Sequence, residues 1–195
     1  MSKVGYFGGT FDPIHNGHMN IAKCVVNFLS LDKLYFLPNN NQPFKEKGLD
    51  YNIRCDMIRL AINGYKKFDI SYVENENRIH YTIDTIKLLY NKNDKIYFII
   101  GEDSLDSLDS WKSVDEIFEY TKIAVVPRSS KYNELKEKCR IYSIEYDTDI
   151  IAIDMPIYDI SSSQIREFIR QNKSINDFVP NEVERYILGR KIYEC

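Results

Sequence analysis

The chain has 195 residues, of which 44% are apolar and 28% charged, so it is long enough for one domain with a buried core. The 26 basic and 29 acidic side chains leave a net charge of −3, which excludes the overall basic field of a typical nucleic-acid-binding protein. No apolar run approaches the roughly 18 residues that a membrane span needs, and the first residues run straight into a strand-like stretch without a secretory leader. We therefore expect a cytoplasmic protein with neither nucleic acid nor membrane as a partner.

Short runs of β-branched and aromatic residues alternate with amphipathic stretches along the chain. The predicted strands are residues 4–7, 34–37, 69–73, 96–100, 123–126 and 151–153. Three stretches between them carry apolar residues at helical spacing: Ile21, Val25, Phe28 and Leu29; Ile53, Met57, Leu60 and Ala61; and Ile83, Ile86, Leu89 and Tyr90. This alternation predicts an α/β fold, a doubly wound parallel sheet with helices on both faces.

A mainly helical pattern follows from residue 161 to the C-terminus. We therefore expect a single domain over residues 1–195, with a sheet-containing core at 1–160 and a C-terminal helical segment at 161–195. In an open parallel sheet, ligands bind beyond the carboxyl ends of the strands. The residues just after each predicted strand are accordingly the candidates for function.

The first predicted strand leads into residues 8–18, Gly-Gly-Thr-Phe-Asp-Pro-Ile-His-Asn-Gly-His. The two glycines allow a tight turn and a close approach of the backbone to a ligand. Asn16 is the predicted N-cap of the next helix, which places His15 and His18 at its start. A helix N-terminus favours anions, and imidazoles add donors that can be protonated when phosphate is present. The alternative is a glycine-rich turn with two incidental histidines, but two of the chain's three histidines fall here.

The whole string resembles the Gly-x-Phe-Asp-Pro-x-His-x-Gly-His signature of the nucleotidyltransferase superfamily, whose fold is Rossmann-like. The resemblance implies that His15 and His18 are catalytic groups on a nucleoside triphosphate, with His18 stabilising charge at the α-phosphate. It also implies that the preceding residues bind the nucleotide: Gly8, Gly9, Thr10 and Phe11.

A second phosphate-binding element is predicted near the C-terminus, at residues 160–166. Ser161 and Gln164 have the spacing of a capping box, and Arg166 follows within the first turns of the same helix, where the macrodipole disfavours a cation. An anion held by the serine hydroxyls, the backbone N–H groups and the guanidinium explains that placement, whereas a solvent-exposed arginine is the alternative. The segment resembles the superfamily's Ile-Ser-Ser-Thr-x-x-Arg motif, with Ser163 in place of Thr. The resemblance assigns the β- and γ-phosphates to Ile160, Ser161, Ser162, Ser163 and Arg166.

Three further segments follow the third, fourth and fifth predicted strands: residues 78–85, residues 101–105 with Trp111 shortly after, and residues 126–128. Together they resemble the bacterial nicotinate-nucleotide adenylyltransferases over essentially the whole chain. That resemblance places Tyr81, Thr82, Trp111 and Arg128 at the acceptor, and Gly101, Asp103 and Lys45 on the ATP side. Trp111 as a simple core residue is the alternative. Two departures from the family pattern, His80 for Ser and Phe44 for His, concern fine discrimination between acceptors.

The implied reaction joins nicotinate mononucleotide to ATP and releases pyrophosphate. The sequence shows no carboxylate cluster for a dedicated metal site, so we expect no metal-binding residue and Mg²⁺ entering with ATP, held by phosphates and water. The sequence leaves open whether the preferred acceptor is the acid, nicotinate mononucleotide, or the amide, nicotinamide mononucleotide. It also leaves open the oligomeric state, for which a homodimer is one alternative. Alternatives are a pantetheine-phosphate adenylyltransferase, a cytidylyltransferase and a module that binds nucleotide without turnover.

Overall fold

The structure, a computed structural model, describes residues 1–40, 48–75 and 81–194. Its six strands form one sheet in which every pairing is parallel. The strands are β1 (Ser2–Gly9), β2 (Lys33–Pro38), β3 (Phe68–Ile70), β4 (Asp94–Gly101), β5 (Lys122–Val126) and β6 (Ile150–Ala152). Their spatial order is β3-β2-β1-β4-β5-β6, so the order reverses between β1 and β4 and a ligand crevice is expected there.

Eight α-helices and one 3₁₀ turn connect the strands within the described ranges. The helices are α1 (Asn16–Leu29), α2 (Tyr51–Ile62), α3 (Thr82–Leu89), α4 (Glu102–Leu105), α5 (Val114–Tyr120), α6 (Tyr132–Glu145), α7 (Ser162–Arg170) and α8 (Asn181–Gly189), and the 3₁₀ turn is Leu108–Ser110. None of the helices in this part of the chain is both long and apolar enough to cross a membrane.

Side chains of the central strands alternate between two apolar clusters, one on each face of the sheet. In β4, Ile99 packs into the cluster that α1, α2, α7 and α8 cover, whereas Phe98 and Ile100 pack into the cluster that α3, α5 and α6 cover. The predicted Rossmann-like parallel sheet with helices on both faces is therefore confirmed. Helices α7 and α8 share a cluster with α1 and α2, and the boundary at residue 160 stays a prediction.

All six predicted strands are present, but the third ends earlier than predicted. The backbone N–H of Ser71 still donates to the Phe36 carbonyl at 2.9 Å, and the chain then turns, with the N–H of Asn75 donating to Tyr72 at 3.0 Å. The strand therefore stops at Ile70. Phe28 was also placed wrongly on the buried face of α1, since it is 47% exposed.

Gly5 in β1 gives a test of the packing of the core against the central strand. A Cβ at Gly5 would lie 2.6 Å from Leu31 Cδ1 and 3.1 Å from Ile99 Cδ1, two buried side chains, whereas a Cβ at Gly189 would meet no atom within 4 Å. We expect Gly5→Ala to lower the free energy of unfolding in urea by about 1–3 kcal/mol, because it overpacks the core. The matched change Gly189→Ala should leave the free energy of unfolding unchanged or raise it slightly. Equal stabilities of the two variants would show that the core relaxes around Gly5.

Candidate active site

A cleft of about 730 Å³ opens at the carboxyl ends of β1, β4 and β5, where the strand order reverses. Eleven residues that the sequence assigned to ligand binding line it: Gly8, Gly9, Thr10, Phe11, His18, Gly101, Asp103, Arg128, Ser162, Ser163 and Arg166. Both predicted phosphate-binding segments, 150 residues apart in sequence, therefore meet in one cavity. A cavity of this size is in the range of small-molecule sites.

The turn after β1 differs from the predicted one. The strand continues through both glycines, and the left-handed backbone conformation falls on Phe11, with φ of 52°. Phe11 is buried, and its ring folds back so far that a Cβ at Gly9 would lie 2.8 Å from Phe11 Cζ. Gly9 is thus required by packing. A Cβ at Gly8 would meet only ordinary contacts, the nearest at 3.6 Å, so the bare backbone there leaves room on the cleft side.

The N-cap of α1 is His15 rather than the predicted Asn16, which is the first helical residue. The backbone N–H of His18 donates to His15 Nδ1, and the backbone N–H of His15 donates to His18 Nδ1, each at 3.3 Å. The two rings stack with centroids 3.6 Å apart. Because both Nδ1 atoms accept a hydrogen bond, the neutral rings carry their hydrogen on Nε2. His18 then offers an N–H donor on the ring edge opposite the helix cap.

Gly17 lies between the two histidines because the stacked rings leave no space for a side chain. A Cβ at Gly17 would lie 3.0 Å from both Cε1 and Nδ1 of His15, and 3.5 Å from Cβ of Ile160. Ile160, predicted at the phosphates, is therefore a packing residue beside this helix start and belongs to the partly buried rim of the core.

Burial sets the charge state of both imidazoles. Burial, together with the smaller effect of the nearby positive charge of Arg128, lowers the pKa of His15 to about 4. For His18, burial again has the largest effect, followed by the charges of His15 and Arg128, and the pKa lies well below its usual value. At neutral pH both rings are uncharged, so each carries one ring N–H donor, at Nε2.

Helix α7 is hydrogen-bonded directly to the loop between β1 and α1. Ser162 Oγ donates to the Pro13 carbonyl at 2.9 Å, and Arg166 Nη1 donates to the Asp12 carbonyl at 2.6 Å. Arg166 Nη2 also donates to Ser163 Oγ at 3.2 Å. These bonds use two of the five guanidinium N–H groups and fix its plane beside the cleft.

The capping role predicted for Ser161 is confirmed. Its hydroxyl accepts a hydrogen bond from the backbone N–H of Gln164 at 3.2 Å, so it begins α7. Because α7 has its N-terminus at the cleft, its free N–H groups and its dipole favour a negative charge there.

The ends of β4 and β5 are joined by polar contacts across the cleft wall. Glu102 accepts backbone N–H groups from Arg128 at 2.8 Å and from Ser129 at 3.3 Å. Arg128 Nε lies 3.5 Å from Asp103 Oδ2. A Cβ at Gly101 would approach Arg128 Nε to 3.4 Å, so the glycine leaves space for the guanidinium.

Three of the four residues predicted at the acceptor do not line this cavity, whereas Arg128 does. Tyr81, 40% exposed, precedes α3, and Lys112 Nζ lies 4.4 Å from the centre of its ring. Thr82 is the first residue of α3, and Trp111 packs half-buried against the cluster below α3 and α5. These three described residues are outside the lining of the cleft. Lys45 and the two departures from the family pattern, Phe44 and His80, lie outside the described residues.

Some residues of the site have little signal in the sequence. Arg170, Asn39, Ser104 and Tyr193 also line the cleft. Arg170 follows Arg166 by four residues, so helical spacing does predict that both lie on one face of α7. Ser104 lies in the segment 101–105 that follows a predicted strand, whereas Asn39 and Tyr193 are revealed only by the fold.

Buried Glu74 is a further residue that no sequence pattern indicated. Its carboxylate accepts a hydrogen bond from Thr85 Oγ1 at 2.8 Å and one from the backbone N–H of Asn40 at 3.1 Å. It therefore joins α3, which begins beside Tyr81, to the chain that leaves β2 next to the cleft.

Comparison with known proteins identifies the family of the chain. A model of the cytidylyltransferase-like family matches residues 6–168. Proteins named probable nicotinate-nucleotide adenylyltransferase from Caldicellulosiruptor saccharolyticus and Clostridium tetani are 37% and 39% identical to the chain. The alignments cover 98% and 99% of this chain, and 99% and 100% of the two relatives.

A solved structure titled Plasmodium falciparum nicotinic acid mononucleotide adenylyltransferase complexed with NaAD superposes with a TM-score of 0.80. The superposition covers 99% of this chain and 98% of that one at 19% identity, which shows a shared fold. Since the sequence similarities to the bacterial relatives extend over the full length, the chain belongs to the nicotinate-nucleotide adenylyltransferases, within the cytidylyltransferase-like family.

Proposed function

We propose that this protein transfers the adenylyl group of MgATP to nicotinate mononucleotide and releases nicotinate adenine dinucleotide and pyrophosphate, a late step of NAD biosynthesis. The observation that carries the proposal is the convergence of the α1 and α7 N-termini, His18 and Arg166 on one cleft at the switch point of the sheet. Helix N-termini, N–H donors and a guanidinium are the groups that bind polyphosphates. The names of the full-length relatives support the acceptor.

The reaction is an in-line displacement at the α-phosphorus of ATP. An oxygen of the acceptor's 5′-phosphate forms the new P–O bond, and the bond from the α-phosphorus to the bridging oxygen of the leaving pyrophosphate breaks. Because a phosphate monoester has a second pKa of about 6, the acceptor is largely dianionic at neutral pH and needs no general base. The protein has to align the two phosphates and neutralise the charge that develops on them, without a covalent intermediate.

The described residues divide this task between two sides of the cleft. We assign His18 Nε2–H to the α-phosphate, with His15 holding the ring in that tautomer through the reciprocal cap. We assign Arg166 and the N–H groups at the start of α7 to the leaving pyrophosphate. Thr10 lies on the same loop and Gly8 lacks a side chain, which lets the nucleotide approach the end of β1.

Mg²⁺ is part of the substrate in this scheme. The carboxylate of Asp12 already accepts hydrogen bonds from Tyr193 and Leu49, and that of Asp103 lies beside Arg128. Across residues 1–40, 48–75 and 81–194, no group of three or more His, Cys, Asp and Glu side chains is placed to hold a metal ion. In the proposed scheme, the phosphates of ATP and water hold the ion.

The acceptor side rests on Tyr81, Thr82, Trp111 and Arg128. Arg128 places a cation in the cleft at the end of β5, where the acceptor's phosphate would enter. Tyr81 presents a partly exposed ring beside Lys112, and Trp111 is next to that lysine in the chain. Aromatic rings of this kind are suitable platforms for a flat pyridine ring.

Pyrophosphate release tests the function directly. The protein with Mg²⁺ and either ATP or CTP is given nicotinate mononucleotide, nicotinamide mononucleotide or phosphopantetheine in parallel reactions. We expect the highest kcat/KM with ATP and nicotinate mononucleotide, because the relatives carry that specificity in their names. A preference for phosphopantetheine or for CTP would contradict the proposal. ATP binding without turnover of any acceptor would make the protein a nucleotide-binding module.

His18→Ala tests the catalytic assignment. We expect kcat to fall by about 10²–10⁴, because a donor aimed at the developing charge is removed. Asn27→Ala, on the exposed side of the same helix, is the control and should keep wild-type kcat. Thermal unfolding of both variants checks that they are folded. Wild-type kcat in a folded His18→Ala protein would remove His18 from the mechanism.

The buried neutral histidines also make stability depend on pH. The pKa of His15 is about 4 in the folded protein against 6.5 without the fold, so the unfolded chain takes up the proton first as pH falls. The stability contributed by the neutral ring is complete above pH 6.5 and is lost as pH falls toward 4. His15→Asn keeps an N-cap oxygen but does not titrate in this range.

We expect wild-type protein to lose on the order of 2 kcal/mol more unfolding free energy than His15→Asn between about pH 7.5 and pH 5. Urea unfolding at both pH values measures the difference for each protein. Equal losses would mean that His15 is protonated in the folded state at pH 5.

A further inference from the structure

The chain turns back after α8 and returns to the cleft. The N–H of Lys191 donates to the Leu188 carbonyl at 3.2 Å and that of Ile192 to the Ile187 carbonyl at 3.0 Å. Lys191 and Tyr193 both adopt left-handed backbone conformations, with φ of 52° and 69°. Ile192 is buried in the cluster below α1 and α2, and this anchors the turn. As a result of this turn, Tyr193 lies in the lining of the cleft.

Tyr193 contacts the phosphate-binding loop through a single strong hydrogen bond. Its hydroxyl donates to Asp12 Oδ1 at 2.5 Å, across 181 positions of sequence. Asp12 is only 8% exposed, and both burial and the Asp12 carboxylate raise the pKa of Tyr193 above its usual range. The phenol is therefore protonated at neutral pH and acts as a hydrogen-bond donor. Hydrogen bonds of this kind, to an ionised acceptor, are among the stronger ones in proteins.

Asp12 in turn connects three separate segments of the site. Its Oδ2 accepts the N–H of Leu49 at 3.3 Å, and its backbone carbonyl accepts Arg166 Nη1 at 2.6 Å. A Cβ at Gly48 would lie 2.8 Å from Asp12 Oδ2, so that segment passes very close. The carboxylate that Tyr193 contacts and the backbone carbonyl that orients Arg166 thus belong to the same residue.

Buried Arg54 supports the same junction from α2. Its Nη1 donates to the Thr10 carbonyl at 2.6 Å and its Nε to the Leu49 carbonyl at 3.0 Å. The loop before α1 thus depends on contacts from α2, from α7 and from the C-terminal turn. Among these three contacts, those from α2 and α7 include a guanidinium group, whereas the contact from the C-terminal turn consists of the Tyr193 hydroxyl alone.

We propose that Tyr193 is a positioning residue for adenylyl transfer: its hydroxyl holds Asp12 so that the residue 10–13 loop and Arg166 keep the geometry that the reacting phosphates require. The inference rests on the proposed function. Tyr193 acts through Asp12, so its effect should appear in kcat more than in the affinity for ATP.

Tyr193→Phe removes only the hydroxyl, and Tyr186→Phe is its matched control. Tyr186 Oη lies 3.0 Å from Asp56 Oδ2, so it also links the C-terminal segment to another element through a tyrosine–aspartate hydrogen bond, but neither residue lines the cleft. We expect kcat of Tyr193→Phe to fall about 10- to 100-fold, with ATP affinity by calorimetry changed less than threefold. Tyr186→Phe should keep wild-type kcat. Both variants should lower the melting temperature by a similar amount.

A double-mutant cycle with Asp12→Asn tests the route. If Tyr193 acts through Asp12, adding Tyr193→Phe to Asp12→Asn should change kcat little further. Should Asp12→Asn fail to fold, two shortened chains replace it: one ending at Tyr193 should keep its activity, and one ending at Ile192 should lose it to the extent that Tyr193→Phe does or more.

Three results would overturn the inference: wild-type kcat in Tyr193→Phe, equal kcat losses in Tyr193→Phe and Tyr186→Phe, or losses from Tyr193→Phe and Asp12→Asn that multiply. A wild-type protein without activity on nicotinate mononucleotide would instead contradict the proposed function. In that case, the same comparison of kcat between Tyr193→Phe and Tyr186→Phe, made on the acceptor that the wild-type protein does turn over, decides the role of the hydroxyl.

Discussion

The reciprocal hydrogen bonds between His15 and His18 are the constraint on which the rest of the site depends. One pair of bonds satisfies two N–H groups at the start of α1 and fixes the tautomer of both rings. The same stacking leaves no space for a side chain at position 17 and presses the helix start against Ile160. Helix capping and ligand recognition are therefore one arrangement, so a change to either ring alters the end of the helix as well as the donor.

The electrostatics of the cleft are local and do not follow the net charge of the chain. The protein carries a charge of −3, yet Arg128, Arg166 and Arg170 line this one cavity. The two carboxylates among the lining residues, Asp12 and Asp103, each have a donor or cation beside them. The cavity thus presents cations and N–H dipoles to an anion although the chain as a whole carries a small net negative charge.

The order of strands and helices could be predicted because it follows from local hydrophobic periodicity. The two predicted phosphate-binding segments, residues 8–18 and 160–166, could be singled out because the spacing of their residues is unusual and resembles a known signature. The end of β3 could not be predicted, since it depends on where the neighbouring strand β2 no longer provides carbonyl groups as hydrogen-bond acceptors. His15 as N-cap was missed because Asn16 is the better capping residue by type, and only the partner ring makes the histidine suitable. Glu74, Arg54 and Tyr193 act through contacts with residues remote in sequence, so no local pattern marks them.

The loop before α1 is built from both ends of the chain. Pro13 receives its hydrogen bond from Ser162, 149 positions later, and Asp12 receives one from Tyr193. During translation, at about 5–20 residues per second, the ribosome needs roughly 7–30 s to add those 149 residues. Until then the nascent chain has its first strand and its histidine pair without α7 or the C-terminal turn. The lining of the cleft is therefore complete only after α7 and the C-terminal turn have been synthesised.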